Sequence, residues 1–146
     1  MGIDLRADHR FRIPRPDLTE TLGVPNACNG CHTKQSPRWA ANRIRDHAPG
    51  YEPAPHFGSA LHAGRYGTSG AVRGLAGLTS NAQLPAIVRA SALNELLRYP
   101  GATTLRALTS GLTDPDPLVR RVAVSGFEGV PASEGTSATS AVSTSA

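Results

Sequence analysis

The segment DPDPLVRRVA at residues 114–123 is the clearest indication of the fold class. After its prolines, Leu118, Val119, Val122 and Ala123 recur at the three- and four-residue spacing of one helix face. Proline disrupts a helix interior, so the prolines mark the edges of such segments. The same spacing upstream gives four predicted helices, at about residues 70–79, 84–98, 102–112 and 115–127. We therefore predict a mainly α protein.

These helices belong to an internal repeat. Residues 85–92 parallel residues 116–123 at an offset of 31, and residues 72–75 parallel residues 105–108 at an offset of 33. A helix pair that recurs at this period indicates solenoid repeats. Residues 114–123 resemble the second helix of HEAT-type repeats. Because two such hairpins close a core poorly alone, we expect them to lean on the preceding segment or on further protein.

The composition limits the core and excludes several classes of protein. Of 146 residues, 39% are hydrophobic and only 5% aromatic, with 15 Gly and 12 Pro. No stretch approaches the ~20 apolar residues of a membrane span. Residues 131–146 are rich in Ser, Thr and Ala, and we predict a disordered tail there.

The charge is basic, with 15 Lys and Arg against 11 Asp and Glu and a net charge of +4. Lys34 is the only lysine, so the other basic residues are all arginine. Arginine clusters can bind nucleic acid. Here the arginines are scattered and are not interleaved with aromatic residues, which fits an Arg-rich genome as well. We expect no nucleic-acid partner.

The only two cysteines lie in Cys28-Asn29-Gly30-Cys31-His32. This C-x-x-C-H spacing is the attachment signature of c-type haem. The two thiols add across two vinyl groups of one haem, so they must lie about one helical turn apart. The histidine that follows can then bind the iron axially. We expect one covalent haem c per chain, bound by Cys28, Cys31 and His32, with His32 as the proximal iron ligand.

Three other interpretations of the cysteines remain open. A thioredoxin-like pair would follow a strand, whereas residues 21–27 are a loop with a proline. A zinc site usually needs four ligands, and no other histidine pairs with a further cysteine. A structural disulfide is the third alternative.

The pattern divides the chain into three segments: a loop-rich c-type haem segment at 1–66, two HEAT-like helical hairpins at 67–130, and the tail at 131–146. In the first segment, residues 2–27 are expected to be extended. Asn26 is expected to cap a short turn that carries the haem motif. Ser36 should cap a helix from Pro37 to about His47, and a further helix is expected over about 56–66.

Two stretches carry a resemblance to a known family: DHRFRIPRPDL at residues 8–18 and GVPNACNGCH at residues 23–32. They resemble the later haem region of bacterial periplasmic multihaem c-type cytochromes, in which HEAT- or TPR-like repeats follow a haem segment. The helix from Ser36 and residues 56–65 are also similar, and the resemblance covers roughly residues 1–128. It implies electron transfer, a periplasmic or otherwise extracytoplasmic parent protein, and a redox partner or neighbouring haem domains as partners.

Members of that family carry a signal peptide and further C-x-x-C-H motifs upstream. The chain opens MGIDLRADHR, with neither feature. We therefore expect it to be the C-terminal part of a longer cytochrome.

The second axial ligand must come from outside the motif. Met1 is the only methionine, so two histidine ligands are expected. His9 is the first candidate, because a histidine stands there in the resembling family; whether it binds this haem or a neighbouring one stays open. His62 is the second candidate. We interpret His47 as a helix-end residue and His56 as a turn residue.

Three further side chains are candidates for contact with the haem. Arg12 and Arg15 can form two-pronged contacts with haem propionates, or else belong to a solvated surface. Trp39 is expected to be a packing anchor at the haem edge or in the small core, rather than an electron relay.

The favoured function is electron transfer through a low-potential c-type haem, with the repeats as a docking surface or scaffold. A haem enzyme, such as part of a multihaem reductase with an open distal site, is one alternative. No feature of the sequence marks a substrate pocket, so an electron carrier is favoured over an enzyme. The other alternative is a HEAT-like protein-interaction module without haem.

Overall fold

The computed structural model describes residues 14–128, and all regular structure in that range is helical. The mainly α fold is therefore confirmed. The helices are α1 Pro16–Leu22, α2 Ala27–Cys31, α3 Pro37–His47, α4 Phe57–Tyr66, α5 Ala71–Ser80, α6 Ala86–Leu96, α7 Ala102–Gly111 and α8 Pro117–Glu128. Not one of these eight helices is both long and apolar enough to span a membrane. The predicted tail at 131–146 lies outside the described residues.

The chain divides between Pro55 and His56 into two compact units. The first contains α1–α3 and the second α4–α8. Residues 56–66 were expected in the first segment, but α4 packs on α5 and α6 of the second unit. Gly64 permits this packing, because a Cβ there would lie 2.7 Å from Leu75 Cδ1.

The first unit begins with a helix that the sequence analysis missed. Residues 16–22 form α1, where an extended chain was expected. Pro16 at the first helical turn suits a helix start. Gly23 ends the helix in the left-handed conformation, with φ of 68°, and its N–H donates to Thr19 O. Helix α1 packs on α3, burying Pro16 and Ala40.

The two predicted caps of the first unit are observed. The Asn26 side chain accepts a hydrogen bond from the Asn29 N–H at the start of α2. Ser36 Oγ accepts one from the Trp39 N–H, 3.1 Å away, at the start of α3. Each bond satisfies a backbone donor that has no partner within its helix. The caps therefore set where α2 and α3 begin.

In the second unit, α5–α6 and α7–α8 form two successive helix pairs. Helix α5 contacts α7 and α6 contacts α8, so the second pair stacks on the first. Positions equated by the sequence repeat are buried in both pairs: Leu75 with Leu108, Val88 with Val119, and Ala92 with Ala123. Equivalent side chains thus build the same part of the core twice.

Arg89 on α6 connects the loop before α6 to the loop between α7 and α8 through a buried ion pair and a hydrogen bond. Arg89 Nη2 lies 2.8 Å from Asp114 Oδ1, with side chains only 8% and 13% exposed. Arg89 Nη1 also donates to Leu84 O at 2.6 Å. The hydrogen bonds from Arg89 hold the pKa of the Asp114 carboxyl below its ordinary value.

Candidate functional site

The C-x-x-C-H motif occupies one short helix of the first unit. Cys28 and Cys31 lie three residues apart on α2, so their side chains are neighbours on the helix surface. His32 follows directly and ends the helix, its N–H donating to Cys28 O at 2.8 Å. Cys28 is half-buried, while Cys31 and His32 are exposed. The expected one-turn spacing of the thiols is observed.

Two asparagines fix this turn against its surroundings. Asn26 Nδ2 donates to Thr19 Oγ1 and to Asn29 Oδ1, both at 2.8 Å. Asn29 Nδ2 donates to Gln35 O at 2.6 Å. The amides therefore connect α2 to α1 and to the loop before α3. The role of Asn29 was not predicted, although its place three residues after a capping Asn26 was a signal for it.

The ring of His32 packs against Trp39 from α3. The ring centroids lie 5.0 Å apart, with the planes tilted by 53°. The Arg43 guanidinium carbon lies 6.0 Å from the Trp39 ring centroid on the same helix. Within residues 14–128, neither ring nitrogen of His32 makes a hydrogen bond. The Trp39 contact thus limits the imidazole's rotation and leaves its nitrogens available as ligands.

The three motif side chains fit covalent haem attachment. Both cysteines are free thiols. In the described part of the chain, no group of three or more His, Cys, Asp or Glu side chains is arranged to hold a metal ion. Zinc ligands surround one ion, whereas haem attachment requires two sulfurs that each bond to a separate carbon and one axial nitrogen. Two free thiols one turn apart on α2, with an imidazole directly after them, are the groups that such attachment would use.

The thioredoxin interpretation finds no support in the local fold. A loop, residues 23–26, precedes α2, and α1 precedes the loop, so the described residues place no strand before the cysteines. A redox-active C-x-x-C pair of that class follows a strand.

Arg15 has partners within the first unit. Its Nε and Nη2 donate to the Asp17 carboxylate at 2.9 and 2.8 Å, and its Nη1 donates to Ala54 O at 3.1 Å. Through these contacts Arg15 connects the last residues of the first unit to the start of α1. The Arg15 hydrogen bonds hold the pKa of Asp17 below its ordinary value. A propionate at Arg15 would therefore have to compete with Asp17.

Of the other predicted residues, His9 and Arg12 lie outside the described residues. His62 lies on α4 in the second unit, where its ring centroid is 4.4 Å from that of Tyr66. His47 stands at the end of α3 with Nδ1 2.8 Å from Arg43 O. His56 precedes α4 and caps it, accepting a hydrogen bond from the Gly58 N–H. The structure brings Cys28, Cys31 and His32 together, and the second axial ligand stays a prediction.

No protein-family model matches the chain, and neither a curated protein nor a solved structure is significantly similar to it. Its function has to be inferred from the site itself.

Proposed function

We propose that the first unit carries one covalently attached c-type haem and that the chain transfers electrons. One observation carries the proposal: two free thiols lie a single turn apart on α2, and an exposed imidazole follows at once, its ring nitrogens making no hydrogen bond to residues 14–128. When bound, the haem supplies an iron centre that gains and loses one electron.

The residues of the chain have distinct tasks in this proposal. Cys28 and Cys31 would hold the haem, each Sγ bonding to one vinyl carbon while the thiol hydrogen goes to the neighbouring carbon and the double bond is lost, an addition that needs no oxidant. His32 would supply a nitrogen to the iron, and Trp39 restricts the orientation of its ring. Asn29 holds the turn in place through Gln35.

Two axial histidines would favour electron transfer over catalysis, because no open iron position is left for a substrate. His9 is our candidate for the second ligand. We extend the proposal to membership of a multihaem cytochrome in an extracytoplasmic compartment. Its partners would then be a redox protein or neighbouring haem domains, with the helical hairpins of the second unit as a scaffold. The sequence resemblance supports this extension.

The attachment is tested by exporting the full chain in a host that has the cytochrome c maturation machinery. We expect haem that stays with the polypeptide on a denaturing gel, and a pyridine haemochrome spectrum of the c type. Cys28→Ala and Cys31→Ala should each keep one thioether. Their haemochrome band should move to longer wavelength, because one vinyl group stays conjugated. The double variant should hold no covalent haem.

The matched control is the state of the thiols in the same preparation. A helical chain that reaches the maturation compartment with two titratable thiols and no haem would contradict the proposal. Binding of one zinc ion by those thiols would replace it with the zinc interpretation.

The type of function is read from the iron's ligands in the haem-loaded chain. A low-spin spectrum that does not respond to cyanide or CO supports electron transfer, while a high-spin spectrum that does respond supports an enzyme. His9→Ala should convert low-spin to high-spin iron, and His47→Ala is the matched control that should not.

A further inference from the structure

A long groove runs between α5 and α7 in the second unit. It consists of two adjoining hollows of about 300 and 560 Å³ that share Ala76 and Thr103 in their lining. The groove lies where the second helix pair stacks on the first, so the repeat itself creates it.

Small apolar and hydroxyl-bearing residues line the groove. Ala76 and Ala107 are among the apolar ones, and Thr79, Thr103 and Ser110 carry hydroxyl groups. The Thr79 hydroxyl donates to Ala76 O, so it is left as an acceptor. A hydroxyl both donates and accepts hydrogen bonds, as the backbone of an extended peptide requires of its neighbours.

The charge of the groove is positive. Arg73 and Arg106 line it at equivalent positions of the repeat. Within the described residues neither has a carboxylate partner, and Arg106 makes one hydrogen bond, from Nη2 to Thr103 Oγ1 at 3.1 Å. The carboxylate in the lining, Asp114, is neutralised by Arg89.

Three other arginines of the second unit, Arg65, Arg89 and Arg98, have carboxylate partners. Arg65 and Arg98 both contact Glu95, and Arg120 donates to the backbone carbonyls of Asp114 and Pro115. The two groove arginines therefore present positive charge that the described part of the chain leaves uncompensated.

From this charge and shape we propose that the groove binds an acidic, extended peptide segment of a partner protein. Arginine forks suit carboxylates, and the hydroxyl groups of the lining suit the peptide backbone. Single-stranded nucleic acid fits less well, because its bases stack on aromatic rings. The aromatic side chain in the lining, Tyr99, is partly buried and packs against the core cluster of the second unit. The proposal does not depend on the haem.

The test uses the full chain and a fluorescently labelled peptide of alternating Glu and Ala, followed by anisotropy at low salt. The peptide should bind, and added salt should weaken it. Arg73→Gln and Arg106→Gln should each weaken binding about threefold to fivefold, and the double variant about tenfold or more, as exposed charge pairs do. The matched control is Arg121→Gln, which removes an unpaired charge from α8 outside the groove lining. It should leave binding within about twofold, since distant surface charges are screened.

Four outcomes would overturn the proposal. In the first, the Glu-Ala peptide does not bind at low salt. In the second, a Gln-Ala peptide binds as tightly as the Glu-Ala peptide. In the third, Arg121→Gln weakens binding as much as Arg73→Gln does, which indicates attraction to net charge alone. In the fourth, a thymidine oligonucleotide binds more tightly than the peptide and its binding is weakened by the same two substitutions, which assigns the groove to nucleic acid. Equal thermal midpoints for all variants ensure that folding explains none of these results.

Discussion

Trp39 determines the surroundings of the His32 imidazole. The two rings pack with centroids 5.0 Å apart. From the sequence, Trp39 was expected to be a packing anchor at the haem edge or in the small core; the contact observed is with the exposed His32. The spacing of Cys28 and Cys31 was also predictable, since it depends only on helix geometry. The bond from Asn29 to Gln35 O was not, because it depends on the path of the loop between α2 and α3.

We expect Trp39→Leu to move the His32 imidazole resonance in the proton NMR spectrum of the haem-free chain. Leucine keeps apolar volume but has no ring current, so the shift caused by the indole should disappear. The His47 resonance should stay in place, because that ring bonds to Arg43 O instead. An unchanged His32 resonance would mean that the rings do not pack in solution.

At the level of helices, periodicity predicted α5–α8 well, because each element buries a stripe of apolar residues that recurs along the chain. Helix α1 was not predicted, because its seven residues are too few to show a helical period of apolar residues. The boundary between the units could not be placed either. It depends on how closely α4 approaches Leu75, which sequence spacing does not reveal.

Substitutions at two helical glycines distinguish the effect of side-chain packing on stability from the effect of helix propensity. A Cβ at Gly126 on α8 would lie 2.5 Å from Leu108 Cδ2, a side chain that is itself fully buried. A Cβ at Gly77 on α5 would meet nothing within 4 Å. We expect Gly126→Ala to destabilise the chain by about 1–3 kcal/mol and Gly77→Ala to stabilise it by about 0.5–1 kcal/mol. Urea unfolding measures both, and a Gly126→Ala chain as stable as Gly77→Ala would contradict the packing of α8 on α7.

For the molecule as a whole, the two units differ in how much apolar surface they bury. Among the described residues, Pro16 and Ala40 are the buried side chains of the first unit, while ten of the eleven buried hydrophobic residues belong to the second. The low aromatic content predicted a modest core. Only the structure shows that most of it lies in the hairpins, with the C-x-x-C-H turn held by side-chain amides instead.

The free energy of unfolding should depend on pH through Asp114. Its pKa in the folded chain lies below the unfolded value of about 3.9. Its stabilising contribution is therefore complete above that value and is lost as the pH falls through the folded pKa. Asp114→Asn should cost about 1–3 kcal/mol at neutral pH, and its difference from the parent chain should shrink below about pH 4.

Urea unfolding at several pH values tests this dependence. Asp116→Asn is the matched control: its Oδ1 accepts the Leu118 N–H at the start of α8, a task that asparagine also performs. If the cost of Asp114→Asn is the same in acid as at neutral pH, the Arg89–Asp114 pair does not act as an ion pair in solution.

The side-chain hydrogen bonds that hold the C-x-x-C-H turn join residues closer in sequence than the ion pair of the hairpins does. Asn26 reaches back seven residues to Thr19, and Asn29 reaches forward six to Gln35. Arg89 and Asp114 are 25 residues apart. Short loops close at lower entropic cost, and local contacts form sooner during folding. The thiols can thus reach their mutual spacing while the hairpins are still unpaired, so the haem attachment that we propose would not need to wait for the rest of the chain to fold.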